Sequence, residues 1–148
     1  MNRFKENMIR QLTRHEGLRL KPYLCPAGKL TIGIGRNLEG KGITEQEAVM
    51  LLENDIQECL DDLTPLFDAF DTLPEPVRQV LVDMQFNLGP GRFRQFKKMI
   101  AAVNARNFPQ AAAQMKASRW YLQVGKRAET LTAMMASAQL PDEPDPQV

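Results

Sequence analysis

The stretch Glu16 to Gly35, E-G-L-R-L-K-P-Y-L-C-P-A-G-K-L-T-I-G-I-G, constrains this chain more than any other. An amphipathic helix runs into it, and alternating and β-branched residues from Leu18 to Ile34 follow. Turn signals at Pro26-Ala27-Gly28 and from Asn37 to Gly42 then divide it into two or three short antiparallel strands. So small a sheet buries little surface and must lean on helices for stability. The same stretch mounts an acid (Glu16), a thiol (Cys25) and a hydroxyl (Thr31) on a short, glycine-punctuated scaffold of the kind that can hold reactive groups in place. Glu16 closes the helix ahead of Gly17, where the helix dipole disfavours an anion, a setting that suits a proton donor.

The rest of the chain reads as helical. Asn2 can cap a first helix whose apolar positions Phe4, Met8, Ile9 and Leu12 recur at helical spacing and end near His15. Thr44-x-x-Glu47 is a capping box, and Ala48, Leu51, Leu52, Ile56, Cys59 and Leu60 carry one apolar stripe to about Asp62. Thr64-Pro65 and Pro74-Glu75-Pro76 break the chain around a short helical piece. A helix from Pro76 to Leu88 follows, with Val77, Val80, Leu81, Met84 and Leu88 as its core face and Gly89-Pro90-Gly91 as its stop. Further helices are predicted over about Phe93 to Ala105, Pro109 to Ala117 and Gly125 to Ala138. Residues 141–148, with three prolines and three acids, predict a flexible acidic tail.

At 148 residues the chain fits one domain, and a net charge of +1 argues against a dedicated nucleic-acid surface. Basic residues nevertheless cluster, Arg92, Arg94, Lys97 and Lys98 in one group and Lys116, Arg119, Lys126 and Arg127 in another. Each group reads as a solvated helix face or as a place to hold an anionic polymer. Two cysteines, Cys25 and Cys59, do not make a disulfide framework, although a bridge between them stays open. Met1-Asn2-Arg3-Phe4-Lys5-Glu6-Asn7 lacks the uninterrupted apolar run of a signal peptide or membrane anchor, so synthesis in the cytoplasm is expected. Neither a Cys/His cluster at metal spacing nor a phosphate-binding glycine loop is present, and no cofactor is expected. A Cys–His hydrolase built on Cys25 and His15 is the rival chemistry. It would want a larger chain and a third orienting residue, and no local cysteine signature supports it.

Glu16-Gly17-Leu18-Arg19-Leu20, then Tyr23, then Thr31-Ile32-Gly33-Ile34-Gly35 resembles the N-terminal signature of phage-type lysozymes, glycoside hydrolase family 24. Ser118-Arg119-Trp120-Tyr121 with Arg127 beyond it is similar to that family's C-terminal signature. The family's usual middle residue between the acid and the threonine is Asp. Cys25 stands there in this chain, as in a minority of phage endolysins, and Arg36 stands after Gly35 where relatives usually carry His.

The resemblance implies a predominantly helical α+β fold of two lobes. A β lobe over about 16–43 and a helical lobe of 1–15 plus 63–140 would be joined by the helix over about 44–62, in one domain over 1–140. It implies a muramidase that hydrolyses the β-1,4 bonds between N-acetylmuramic acid and N-acetylglucosamine in peptidoglycan, for host lysis. The protein would be monomeric, without nucleic acid or stable membrane association, and would reach the periplasmic wall with a membrane-permeabilising partner of the holin type. The alternatives are a peptidoglycan-binding module that has lost its chemistry at Cys25, and a particle-borne or injected effector.

The resemblance also assigns roles. Glu16 is the general acid, Cys25 the second catalytic group and Thr31 the hydroxyl that orients water. Tyr23, Asn37, Phe86, Phe96 and Gln114 fall where the family contacts sugars, and Arg127 is similar to the residue that salt-bridges the acid. Taken alone, Cys25 reads as a small buried hydrophobe, Thr31 as an ordinary strand residue, and Phe86 and Phe96 as core. A thiol must be ionised to act, either as a base toward water or as a direct nucleophile, and the two predict opposite stereochemistry.

Overall fold

A computed structural model describes residues 2–140; the predicted acidic tail lies outside the described residues. The order of elements is α1 (Arg3–Glu16), β1 (Arg19–Leu24), β2 (Leu30–Gly33), β3 (Arg36–Asn37), α2 (Glu45–Leu63), α3 (Glu75–Leu88), α4 (Pro90–Phe93), α5 (Lys97–Asn104), α6 (Phe108–Lys116), α7 (Arg119–Val124) and α8 (Lys126–Ser137). Single 3₁₀ turns at Thr64–Leu66 and Phe70–Thr72 fill the proline-broken stretch before α3. The fold is α+β and mostly helical, as the sequence predicts.

Packing divides the chain into two compact units, Met1–Leu51 and Leu52–Val148, with the boundary inside α2. The first holds α1 and an antiparallel sheet of order β1-β2-β3. α1 thus falls in the unit of the sheet, where the sequence groups residues 1–15 with the helical lobe. Asn2 caps α1 by accepting the Lys5 N–H at 2.8 Å, and the helix ends as Gly17 donates its N–H to the Thr13 carbonyl at 2.9 Å. The capping box of α2 forms in both directions: the Thr44 N–H donates to Glu47 Oε1 at 3.0 Å, and the Glu47 N–H to Thr44 Oγ1 at 3.1 Å.

The second unit is a helical body around Leu63, Leu81, Met84, Phe93, Met99, Met115 and Met135, all fully buried. α6 and α8 form its most extensive helix–helix contact. Four of these seven side chains are methionine, whose unbranched stem fills the irregular gaps that Ala-rich helices leave. Val77, Val80, Leu81 and Met84 line the buried face of α3, as their spacing predicts, with Leu88 packed at its edge.

Two helical expectations need correction. The helix predicted from Phe93 to Ala105 is two pieces, because Pro90 starts the short α4 and a turn at Arg94-Gln95 resets the chain before α5. That turn lets Phe93 enter the core while Phe96 packs on Trp120. The stretch after Ser118 is a helix in its own right, α7, capped by the Ser118 hydroxyl accepting the Tyr121 N–H at 3.2 Å.

Candidate active site

Five of the residues singled out in the sequence lie in the first unit. Glu16 is the last residue of α1 and is exposed, and its carboxyl lies on the side of Gly35 where a side chain would stand. A β-carbon built at Gly35 would meet Glu16 Oε2 at 3.0 Å and Cδ at 3.2 Å, and the φ of +73° at Gly35 is one that other residues rarely adopt. Gly35, which ends the Thr31–Gly35 run, therefore brings main chain, and no side chain of its own, up to the acid.

Tyr23, Thr31 and Asn37 occupy one rung of the sheet, Tyr23 paired with Thr31 and Thr31 with Asn37. Directly paired residues of an antiparallel sheet present their side chains on the same face, so the fold gathers three residues from three strands. Arg19 adds a cation–π contact, its guanidinium carbon 4.6 Å from the centre of the Tyr23 ring. Thr31 is 3% exposed, and its hydroxyl donates to the Lys29 carbonyl at 2.8 Å. That bond fixes the oxygen and leaves its lone pairs to accept. Asn37 Oδ1 accepts the Gly40 N–H at 3.0 Å and closes its own turn, leaving the amide nitrogen as a donor to other groups.

Cys25 sits in the turn between β1 and β2, half-buried. Its N–H donates to the Lys29 carbonyl at 3.0 Å, and its carbonyl accepts the Gly28 N–H at 2.8 Å. Hydrogen bonding from the Lys29 backbone holds its thiol below the ordinary value. Burial opposes this, and the Ala27 backbone and the Thr31 hydroxyl assist. Cys59 is the opposite case: buried in α2, its thiol is pushed up by desolvation and by the charges of Asp62, Glu58 and Asp55. Both cysteines are free.

The remaining predicted residues lie in the second unit, in two separate cavities. Phe86 and Arg127 line one of about 760 Å³ with Arg78, Asp83 and Met134. Phe86 is half exposed, which sets aside its reading as a core residue. Arg127 pairs with Asp83, its Nε donating to Oδ1 at 2.7 Å. Phe96 and Gln114 line the other, of about 710 Å³, with Arg92, Lys97, Lys98 and Arg119. Phe96 meets Trp120 edge to face with ring centres 6.2 Å apart, and the Trp120 indole N–H donates to Asn87 Oδ1 at 3.0 Å.

Sequence reasoning missed three relationships: Asp83 as the partner of Arg127, the approach of Gly35 to Glu16, and an ion pair between Arg36 and Glu47 at 2.8 Å. Only the last left a signal. Glu47 was marked by its capping box, and its carboxylate had oxygen to spare for a cation.

A family model described as phage lysozyme matches residues 13–136. The chain is 29% identical over 136 residues to peptidoglycan hydrolase gp36 of Pseudomonas phage phiKMV, covering 88% of this chain and 15% of that protein. It is 27% identical over 162 residues to the pre-baseplate central spike protein Gp5 of Enterobacteria phage T4, covering 90% of this chain and 28% of that one. An endolysin of Acyrthosiphon pisum secondary endosymbiont phage 1 is 32% identical over 108 residues, covering 70% of each. The chain thus spans a minor part of the first two relatives and about two thirds of the third.

Proposed function

The chain belongs to the phage lysozyme family, and from that premise we propose that it is a muramidase cutting the β-1,4 bond between N-acetylmuramic acid and N-acetylglucosamine in peptidoglycan. The observation that carries the reading is the setting of Glu16, a carboxyl at a helix end held against Gly35 in the same unit as Cys25 and the Tyr23–Thr31–Asn37 rung. Relatives named peptidoglycan hydrolase and endolysin point to the same substrate.

In this reading Glu16 gives its proton to the glycosidic oxygen as the bond to the leaving sugar breaks. Cys25 completes the reaction as thiolate, by one of two balanced routes. As base, it takes a proton from a water whose oxygen forms the new bond to the anomeric carbon, with inversion. As nucleophile, its sulfur forms that bond; water then displaces the thiolate, giving its proton to the Glu16 carboxylate, with net retention. The backbone that lowers the thiol supports either route, and the anomer released distinguishes them. Thr31, its hydroxyl oxygen fixed beside Lys29 and Cys25, offers a lone pair to the water. Tyr23 offers a ring to stack on a sugar and Asn37 an amide N–H. On the second unit, taken by itself, we propose Phe86, Phe96 and Gln114 as sugar-contacting residues and Arg127 as a supporting one.

No helix among the described residues is long and apolar enough to cross a membrane. We propose that the enzyme reaches the periplasmic wall when a partner of the holin type permeabilises the membrane. Clearing of permeabilised Gram-negative cells and release of reducing ends, measured for wild type beside Glu16→Gln, tests the reading. Because Gln keeps the shape but cannot donate the proton, the variant should lose at least about a hundredfold. Clearing within about threefold of wild type removes Glu16 from the reaction. Retained wall binding by the wild type without release of reducing ends makes the protein a binding module.

A further inference from the structure

We propose that Arg36 and Glu47 are a positioning pair for Glu16, a role that rests on Glu16 being the acid. Arg36 directly follows Gly35, the residue whose backbone abuts the Glu16 carboxyl. Its own backbone is fixed on one side by the ladder, where it pairs with Ile32 of β2. Its side chain is fixed on the other by Nη1, which donates to Glu47 Oε1 at 2.8 Å and to the Gly42 carbonyl at 3.1 Å.

Glu47 is equally committed. The oxygen that accepts from Arg36 also accepts the Thr44 N–H at 3.0 Å, and the Glu47 N–H returns to Thr44 Oγ1. One carboxylate therefore ties β3 to the first turn of α2. The start of β3, which directly follows Gly35, is thereby tied to α2.

The side chains are 29% and 39% exposed, and exposed ion pairs contribute little to folding stability. A pair kept only for stability would be replaceable here at small cost. Placement is different, because Gly35 itself has no side chain to pack, so its position depends in part on what grips Arg36, the next residue. With the grip gone, the turn drifts and the carboxyl loses the surface that limits its rotation. Misplacement by about 1 Å can lower a rate about a hundredfold.

The test measures kcat and KM on soluble cell-wall glycan fragments, and thermal midpoints, for wild type, Arg36→Met, Arg36→Lys, Glu47→Gln and Glu16→Gln. Arg36→Met keeps the stem and removes the donors. It should lower kcat about ten- to a hundredfold with KM within about twofold, the pattern of an interaction that matters in the transition state. Arg36→Lys, which can still reach Glu47, should recover most of that loss. In amide NMR spectra, the Gly35 signal should shift in Arg36→Met and in Glu16→Gln alike. Should Arg36→Met fail to fold, Glu47→Gln, which retains a cap acceptor for Thr44, is read by the same criteria. A kcat within about threefold of wild type in the folded variant, while Glu16→Gln is inactive, overturns the positioning role alone. A rise in KM at constant kcat overturns it too. A fully active Glu16→Gln overturns both this role and the assignment of the acid.

Discussion

Glu16 Oε2 lies where a β-carbon at Gly35 would come to 3.0 Å from it, so a side chain at position 35, just before β3, would press on the acid at the end of α1. Gly35→Ala has two consequences that can be separated. Its φ of +73° makes any other residue strained, by about 1–2 kcal/mol. The added methyl must also push the flexible carboxyl aside. Gly89→Ala supplies the control, since Gly89 has a φ of +81° with nothing within 4 Å. Both variants should lower the thermal midpoint by similar amounts, whereas only Gly35→Ala should lower kcat, by about tenfold or more. Equal activities in the two variants would show that the approach to Glu16 has no bearing on rate.

How far the sequence revealed this arrangement depended on whether each signal was local. Thr44 and Glu47 announce the start of α2 because a capping box is written in four consecutive residues, and both of its bonds form. Asn2 and the proline breaks before α3 are legible for the same reason. The six-residue α7 is too short to display a helical period, although Ser118 as its cap was a usable sign. The stretch from about Phe93 to Ala105 reads as one helix, yet a turn delivers Phe93 and Phe96 to different neighbours. Within the candidate site, Glu16, Cys25 and Thr31 stand out by their spacing and by the family they resemble. The pairing of Tyr23 with Thr31 and Asn37, and of Arg36 with Glu47, depends on strand register, which no short window contains.

The two cysteines should react differently. Backbone hydrogen bonding lowers the Cys25 thiol, while burial and three nearby carboxylates raise that of Cys59. Iodoacetamide near neutral pH should therefore label Cys25 first and abolish lysis, with protection by bound glycan. A lowered pKa means the thiolate persists as pH falls until that pKa is crossed, so if the thiol ionises below the acid, the acid limb of the activity profile tracks Cys25. Cys25→Asp should stay active with the acid limb moved lower, since a carboxyl ionises below a thiol. Full activity in Cys25→Ser with an unmoved limb would reassign Cys25 to packing.

Glu47 should add a small, pH-dependent contribution to the stability of the first unit. Its carboxyl is lowered from 4.5 to about 2, first by the hydrogen bond from Arg36 and then by that from the Thr44 backbone. A depressed folded pKa contributes stability that is present above the unfolded value and lost as pH falls through the folded one. The midpoint difference between wild type and Glu47→Gln should thus be largest above about pH 4.5 and shrink toward pH 2. A difference independent of pH over that window would mean that the cap, and not the ionised pair, accounts for the contribution.

Arg127 and Asp83 make the second ion pair, and their variants separate a structural role from a functional one. Both side chains are about two-fifths exposed, so their coupling in a thermal double-mutant cycle of Arg127→Met and Asp83→Asn should be only about 0.2–1 kcal/mol. Activity should not follow that symmetry. Arg127 sits in the C-terminal signature and lines the cavity that also holds Phe86, so its loss should reduce wall clearing about tenfold. Asp83→Asn keeps an acceptor for the guanidinium and removes only the charge, so clearing should stay within about twofold of wild type. Equal losses from the two substitutions, matched by an equal fall in thermal midpoint, would place Arg127 in the scaffold of α3 and α8 and end its supporting role in the reaction.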